Sequence, residues 1–208
     1  MKKSVLKLFC FMALILPITL MLIGCGTRSG TTYQTIFPDE FKIVVRINTD
    51  EVFCEETFIY SNNQYYYKYQ GYTQNFESQS TTVLEYLVIK EESSYIHYSY
   101  DYDNDQWNYL STGTQFTQNF DNYWSGLNLY CKAPDSILYD AEKQADEEVN
   151  GVDCYVYQVY DTTYKISKDS YHILMSYYAQ TTTLTLQYEV QSITTTNVFN
   201  GISTALPD

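Results

Sequence analysis

From Phe41 onward the chain alternates with a period of two residues, and the alternation is cut at short intervals by turn-forming residues. In "EFKIVVRINTD" the residues Phe41, Ile43, Val45 and Ile47 fall on one face, and Lys42, Val44, Arg46 and Asn48 on the other. Successive side chains of a strand point to opposite faces of a sheet, so this is the pattern of a half-buried strand. "EETFIYSNNQYYYKYQGY" supplies two more strands around Ser61-Asn62-Asn63-Gln64, and "TTVLEYLVIKEESSYIHYSYDYDNDQWNYL" repeats the rhythm with turns near Glu92-Ser93 and Asp103-Asn104. Asn and Asp tolerate the left-handed backbone that tight hairpins require. Tyrosine, with 24 copies, is the residue that fits a pleated, half-buried surface, and Ala and Leu are too scarce for a mainly helical domain. The expected class is therefore mainly β (α+β): a curved antiparallel sheet or half-barrel with one or two helices plugging its concave side.

The period changes once. Phe116, Phe120, Tyr123, Trp124, Leu127 and Cys131 recur on one helical face, and the helix should stop before Pro134, whose ring disfavours helical backbone at the preceding residue. Residues 137–149 fit both periods and read as a short helix end near 137 and an extended strand by 142. Asn150-Gly151 before "VDCYVYQVY" signals a hairpin, "TTYKISKDSYHILMSYY" turns at Lys168-Asp169-Ser170, and "TTTLTLQYEVQSI" is a last long strand.

The amino end is of another kind. Lys2, Lys3 and Lys7 precede an apolar run from Leu8 to Ile23, interrupted by Pro17 and Thr19. At 16 residues the run is shorter than the roughly 20 that a spanning helix needs, and it has the layout of a secretory signal. Leu22-Ile23-Gly24-Cys25 resembles the lipobox of bacterial lipoproteins. The resemblance implies that Leu22, Ile23 and Gly24 are read by the signal peptidase and that the Cys25 thiol receives a diacylglycerol. Cys25 would then become the first mature residue, open to N-acylation by a chain such as palmitate. Two acyl chains hold a protein on a membrane far better than one. The expected organisation is a signal peptide over 1–24, a lipidated Gly/Ser/Thr-rich tether over 25–35, and one β domain over 36–208. The anchor places the chain on the extracytoplasmic face of the cell membrane. Usage rich in Lys, Asn, Thr and Tyr and poor in Ala points to an AT-rich Gram-positive host.

The signal holds three of the 12 cations and none of the 25 acids, so its removal takes the formal charge from −13 to −16. Such a surface repels nucleic acid, so no nucleic-acid partner is expected. The sequence leaves the oligomeric state open. Cys54, Cys131 and Cys154 remain as an odd set without a CxxC or a metal-ligand spacing. An exported chain permits one disulfide, with Cys131–Cys154 the expected pairing among three; the alternative is that all three are small buried apolar residues.

No nucleophile elbow, zinc-protease helix, phosphate loop or dinucleotide fingerprint is present. His97 and His172 each lie in or beside a strand without a partner motif, and "DYDNDQ" has Gln106 where a calcium loop needs Gly, so an Asp/Asn hairpin tip accounts for it. The expectation is a non-enzyme without metal or cofactor. Tyrosine stripes are the remaining candidate surface: Tyr65, Tyr67 and Tyr69 share a face, Tyr98 and Tyr100 form another stripe, and the helix adds Phe120 and Trp124. Rings with a polar handle suit an amphipathic ligand.

Residues 135–208 resemble the outer-membrane lipoprotein carrier and the mycobacterial cell-envelope lipoproteins of the same fold. Asn150 and Gly151 match a hairpin turn, Lys168 and Asp169 a second turn, and Phe199 and Pro207 the closing segment. The resemblance implies an incomplete barrel whose helix-plugged concave side holds a cavity for acyl chains. Tyrosine in place of the carriers' aliphatic lining makes that lumen more polar. The expected function is binding of an amphipathic or hydrophobic ligand or an envelope component; the alternative is a surface module that contacts protein or glycan through a Tyr-rich sheet face.

Overall fold

The structure is a computed structural model that describes residues 33–50, 52–75, 78–133, 141–181, 185–202 and 206. The lipobox and Cys25, and the helix end expected near 137, lie outside these residues. Within them the first half is a meander of six strands: β1 (Phe41–Thr49), β2 (Val52–Ser61), β3 (Gln64–Asn75), β4 (Ser78–Glu91), β5 (Ser94–Asp101) and β6 (Gln106–Gly113). One α-helix follows, α1 (Gln118–Cys131). The second half holds β7 (Glu142–Lys143), β8 (Glu147–Val149), β9 (Val152–Val159), β10 (Thr162–Ser167), β11 (Leu174–Gln180) and β12 (Thr185–Thr194). The strands form one antiparallel sheet in the order β6-β5-β4-β3-β2-β1-β12-β11-β10-β9-β7, with β8 also on β9. The sheet is large, curved and open, not closed into a barrel.

The turns obey the chemistry read from the sequence. Asn62 and Asn63 have φ of 49° and 63°, and Asn150 and Gly151 have 49° and 82°. Positive φ at both central residues is the two-residue hairpin that matches strand twist. Register shifts at Val44/Val45, Lys165/Ile166 and His97/Tyr98 mark bulges, which bend the sheet.

The concave face carries the main core. Phe41, Ile43, Val45 and Ile47 of β1 all point there and are buried, as are Phe58, Tyr67, Val88, Ile166 and Leu174. The helix lies across this face. It starts two residues later than Phe116 because the Thr117 hydroxyl accepts from the Phe120 N–H at 3.4 Å and caps it. It ends at Cys131, and Lys132 turns extended to bridge Ile173.

The convex face has a smaller core of its own. Ile59, Tyr66, Leu87 and Trp107 are covered by the carboxyl-terminal segment through Val198, Phe199, Ile202 and Leu206. A buried carboxylate, Glu85, sits in this layer. It accepts from the hydroxyl of Tyr66 at 2.7 Å and from that of Tyr102, and pairs with Lys68 at 3.4 Å.

One expectation is corrected. The Cys131–Cys154 disulfide is not formed: Cys54, Cys131 and Cys154 are all free and buried. Burial in apolar surroundings disfavours each thiolate, pushing Cys154 up to about 11 and the other two higher. Reductant should therefore leave the melting temperature unchanged, whereas losing a native disulfide costs about 2–4 kcal/mol. A drop in the reduced protein's melting temperature would restore the cross-link.

Residues 33–35, the last of the expected tether, lie against the domain. The Tyr33 hydroxyl lies 2.8 Å from that of Tyr157, and the Tyr33 ring stacks on Tyr155 at 5.4 Å. Thr35 Oγ1 donates to the His172 carbonyl and accepts from the Ala133 N–H. Ile36 N–H donates to the Tyr171 carbonyl. A Ser/Thr/Gly-rich composition signals freedom, but here one aromatic side chain and one hydroxyl dock it.

Candidate functional site

The turn between β2 and β3 holds Tyr60 and Tyr65 side by side on the concave face, their rings 4.8 Å apart. Strand alternation sets this, since Tyr60 is in phase with Phe58 and Tyr65 is its partner across the hairpin. Trp124 reaches down from α1 between Phe41, Phe58 and Tyr65, at centroid distances of 6.3, 5.8 and 5.4 Å. Phe120, one turn earlier, stacks on Trp124 at 5.8 Å. Phe37 packs on Phe41 at 5.6 Å and adds a wall from outside the periodic strands. Between these rings lies an open cleft of about 180 Å³, lined by Phe37, Phe41, Tyr60, Tyr65, Trp124, Leu127 and Asn128. Ligand pockets usually measure about 300–1,000 Å³. This cleft suits one ring or a short run of methylenes, with phenol hydroxyls and one amide to meet a polar end.

Of the expected binding residues, Tyr65 and Trp124 line the cleft, with Phe120 packed behind them. Tyr67 is 2% exposed under the helix and stacks on Tyr123 at 5.2 Å, so it is wall rather than lining. Tyr69 shares that face but folds over Gly71; a Cβ there would meet its hydroxyl at 2.1 Å, so the glycine makes room for the ring. Tyr98 and Tyr100 belong to the convex layer, where Tyr100 packs on Trp107 at 5.1 Å, and they have no part in the site. Two stripes of one composition thus fall on opposite faces, because the phase of each strand decides its face.

Where an acyl-chain cavity is expected under the helix, the described residues pack closely. Phe58, Phe120, Leu127 and Cys131 are 0–3% exposed there. That layer contains a residue the sequence reading missed, Glu56. It lies on β2 in phase with Cys54 and Phe58, which was the available signal, and is 7% exposed beneath the helix. The helix approaches closely at Gly126, where a Cβ would lie 3.3 Å from Glu56 Oε2. Tyr67 hydrogen-bonds the carboxyl, yet burial dominates and pushes its pKa from 4.5 up to about 8. No ion pair among the described residues reaches it. Glu56 is thus a neutral acid at pH 7.

His97 is buried against Phe116 and Phe120, at ring distances of 6.4 and 6.1 Å. Burial lowers its pKa against the opposing hydrogen bond to the Gln115 backbone, and its Nε2 has no partner among the described residues. At the β5–β6 tip the Asp101 carboxylate accepts from the backbone N–H groups of Asp103 and Asn104 and from the side-chain amides of Asn104 and Asn108. Those bonds hold its pKa low and account for the tip as a turn.

No family model and no curated protein matches the sequence. Among solved structures, the chain is similar to the crystal structure of the lipoprotein LppX of Mycobacterium tuberculosis. That similarity has 10% identity and a TM-score of 0.33, and covers 72% of this chain and 84% of the other.

Proposed function

We propose that this protein is a membrane-anchored extracytoplasmic lipoprotein, tethered through Cys25 and non-catalytic, whose β domain binds a small amphipathic or hydrophobic group. The observation that carries the binding part is the cleft of about 180 Å³ between α1 and the β2–β3 turn, walled by aromatic rings and edged by Tyr hydroxyls and Asn128. The lipobox pattern at Leu22 to Cys25 supports the anchor. The closely packed helix–sheet layer supports a small guest in place of a whole buried lipid.

The anchor is tested by fractionation: Cys25→Ser should leave the chain uncut and no longer held on membranes through two acyl chains, and equal partitioning of a processed variant would sink it. The cleft is tested by titrating octyl glucoside below its micelle concentration. A saturable shift in tryptophan emission, weakened by Tyr65→Ala, is expected; an unresponsive spectrum defeats the reading.

A second reading, a module contacting protein or glycan, is favoured by the apolar residues that stay exposed on β6, where Tyr109 and Leu110 are 58% and 52% exposed.

A further inference from the structure

The pair Asn-Gly occurs twice in the chain, at Asn150-Gly151 and Asn200-Gly201. A glycine after an asparagine leaves its own nitrogen open to the asparagine side chain, because no Cβ shields it. Both glycines meet the same conditions: φ is 82° and 81°, and nothing lies within 4 Å of the point where a Cβ would stand. The asparagines differ. Asn150 Nδ2 donates to Glu189 Oε1 at 3.1 Å and to the Val190 carbonyl at 2.8 Å, which pins its amide to β12. Its turn is clamped by the β8–β9 ladder, where Val149 pairs with Val152. Asn200 is exposed, and no hydrogen bond among the described residues holds its amide. Its turn rests on isolated bonds, from Asn200 N–H to the Asn197 carbonyl at 2.9 Å and from Ile202 N–H to the Phe199 carbonyl at 3.0 Å.

We infer that Asn200 is a site of spontaneous deamidation, a slow covalent change that loosens the cover of the convex core. The Gly201 nitrogen bonds to the Asn200 side-chain carbonyl carbon, the carbon–nitrogen bond of the amide breaks, and the Gly201 proton leaves with that nitrogen as ammonia. Water opens the resulting cyclic imide at either carbonyl, giving aspartate or isoaspartate. A water enters, an ammonia leaves, and nothing is oxidised or reduced. Closing the ring turns the backbone at Asn200 against the Phe199–Ile202 bond alone. At Asn150 the same closure must first break both amide bonds to β12, one of them to a carboxylate. What surrounds Asn200 gives the change its effect. Val198 is 4% exposed, Phe199 meets Tyr66 edge-on at 6.5 Å, and Ile202 and Leu206 pack on the cluster of Ile59, Tyr66, Leu87 and Trp107. Isoaspartate adds a methylene to the backbone between Phe199 and Ile202, and so draws Ile202 off its seat. The inference needs neither the anchor nor the cleft.

The test incubates the full chain for weeks in neutral buffer made with heavy-oxygen water and maps its peptides by mass spectrometry. A parallel sample in urea gives the rate of each Asn-Gly pair without the fold. In the folded protein the Asn200 peptide should take up heavy oxygen and split into aspartyl and isoaspartyl forms. It should do so about tenfold or more faster than the Asn150 peptide, since the two amide hydrogen bonds of Asn150 are worth at least that factor. In urea the two rates should converge, and Asn200→Gln should abolish the uptake at that position. In Trp124→Phe, where Trp107 is the remaining tryptophan, emission should shift to the red as isoaspartate accumulates. Equal rates in the folded protein, or an unlabelled Asn200 beside a labelled urea sample, overturn the site. An unmoved Trp107 emission overturns the loosening.

Discussion

Replacing Glu56 with glutamine is expected to raise the stability of the domain by several kcal/mol at pH 8 and to remove most of its decline between pH 4.5 and 8. An unfolded chain ionises this carboxyl near 4.5, whereas the folded protein holds it neutral up to about 8. Below pH 4.5 both states are protonated and the group costs nothing. As pH rises through the window the unfolded state releases a proton that the folded state keeps, so stability falls by about 1.4 kcal/mol per pH unit. Over the whole window the loss is on the order of 5 kcal/mol, and above pH 8 it levels off. Glutamine keeps the size of the side chain and an acceptor for Tyr67 but has no proton to lose. The groups facing it are themselves poor sources of compensation. Cys54 on β2, Tyr67 and Tyr69 on β3, and Tyr130 and Cys131 on α1 are all neutral, with pKa values raised by burial. Urea unfolding at pH 5, 6.5 and 8 measures the effect. A wild-type protein that holds its stability across that range, or a Glu56→Gln variant weaker than wild type at pH 8, means that Glu56 is ionised and paired.

Phe58→Ala should cost about 3–5 kcal/mol, the usual range for deleting a fully buried phenyl ring. Phe58 is 0% exposed and is the ring on which sheet and helix meet, packed against Tyr67 at 5.3 Å and Trp124 at 5.8 Å. For a domain of this size each kcal/mol lowers the melting temperature by about 2–4 °C. The variant also enlarges the cleft from below, because Trp124 loses its floor. Thermal unfolding checks the cost, and a loss under about 1 kcal/mol would mean that α1 settles into the vacated space.

The sheet was legible in the sequence because its signals are local. Alternation in "FKIVVRI" marks the buried face of β1 directly, and the Asn-Asn and Asn-Gly pairs sit where the backbone takes positive φ. The helix was legible for the same reason, apart from the two residues that Thr117 removes by capping. Half of the candidate site was not legible. Whether a stripe such as Tyr98 and Tyr100 joins Tyr65 depends on which face each strand turns inward, and the register sets His97, not Tyr98, level with Val88 and Tyr65. Phe37 carries no periodicity, so nothing marked it as a wall. Glu56 was in plain phase with Cys54 and Phe58, but an acid at an apolar position reads as surface until the helix is seen lying over it. Tyr33 was hidden by its small, polar neighbours.

The pairing of β1 with β12 joins two meanders that are otherwise local, and it links Thr49 to Leu186 across most of the domain. A ribosome delivers β1 long before β12, so until β12 arrives the central strand waits with one hydrogen-bonding edge bare. Contacts so distant in sequence close slowly, and a bare edge invites pairing with the wrong chain. The seam in the middle of the finished sheet is thus also the moment of greatest hazard in its assembly.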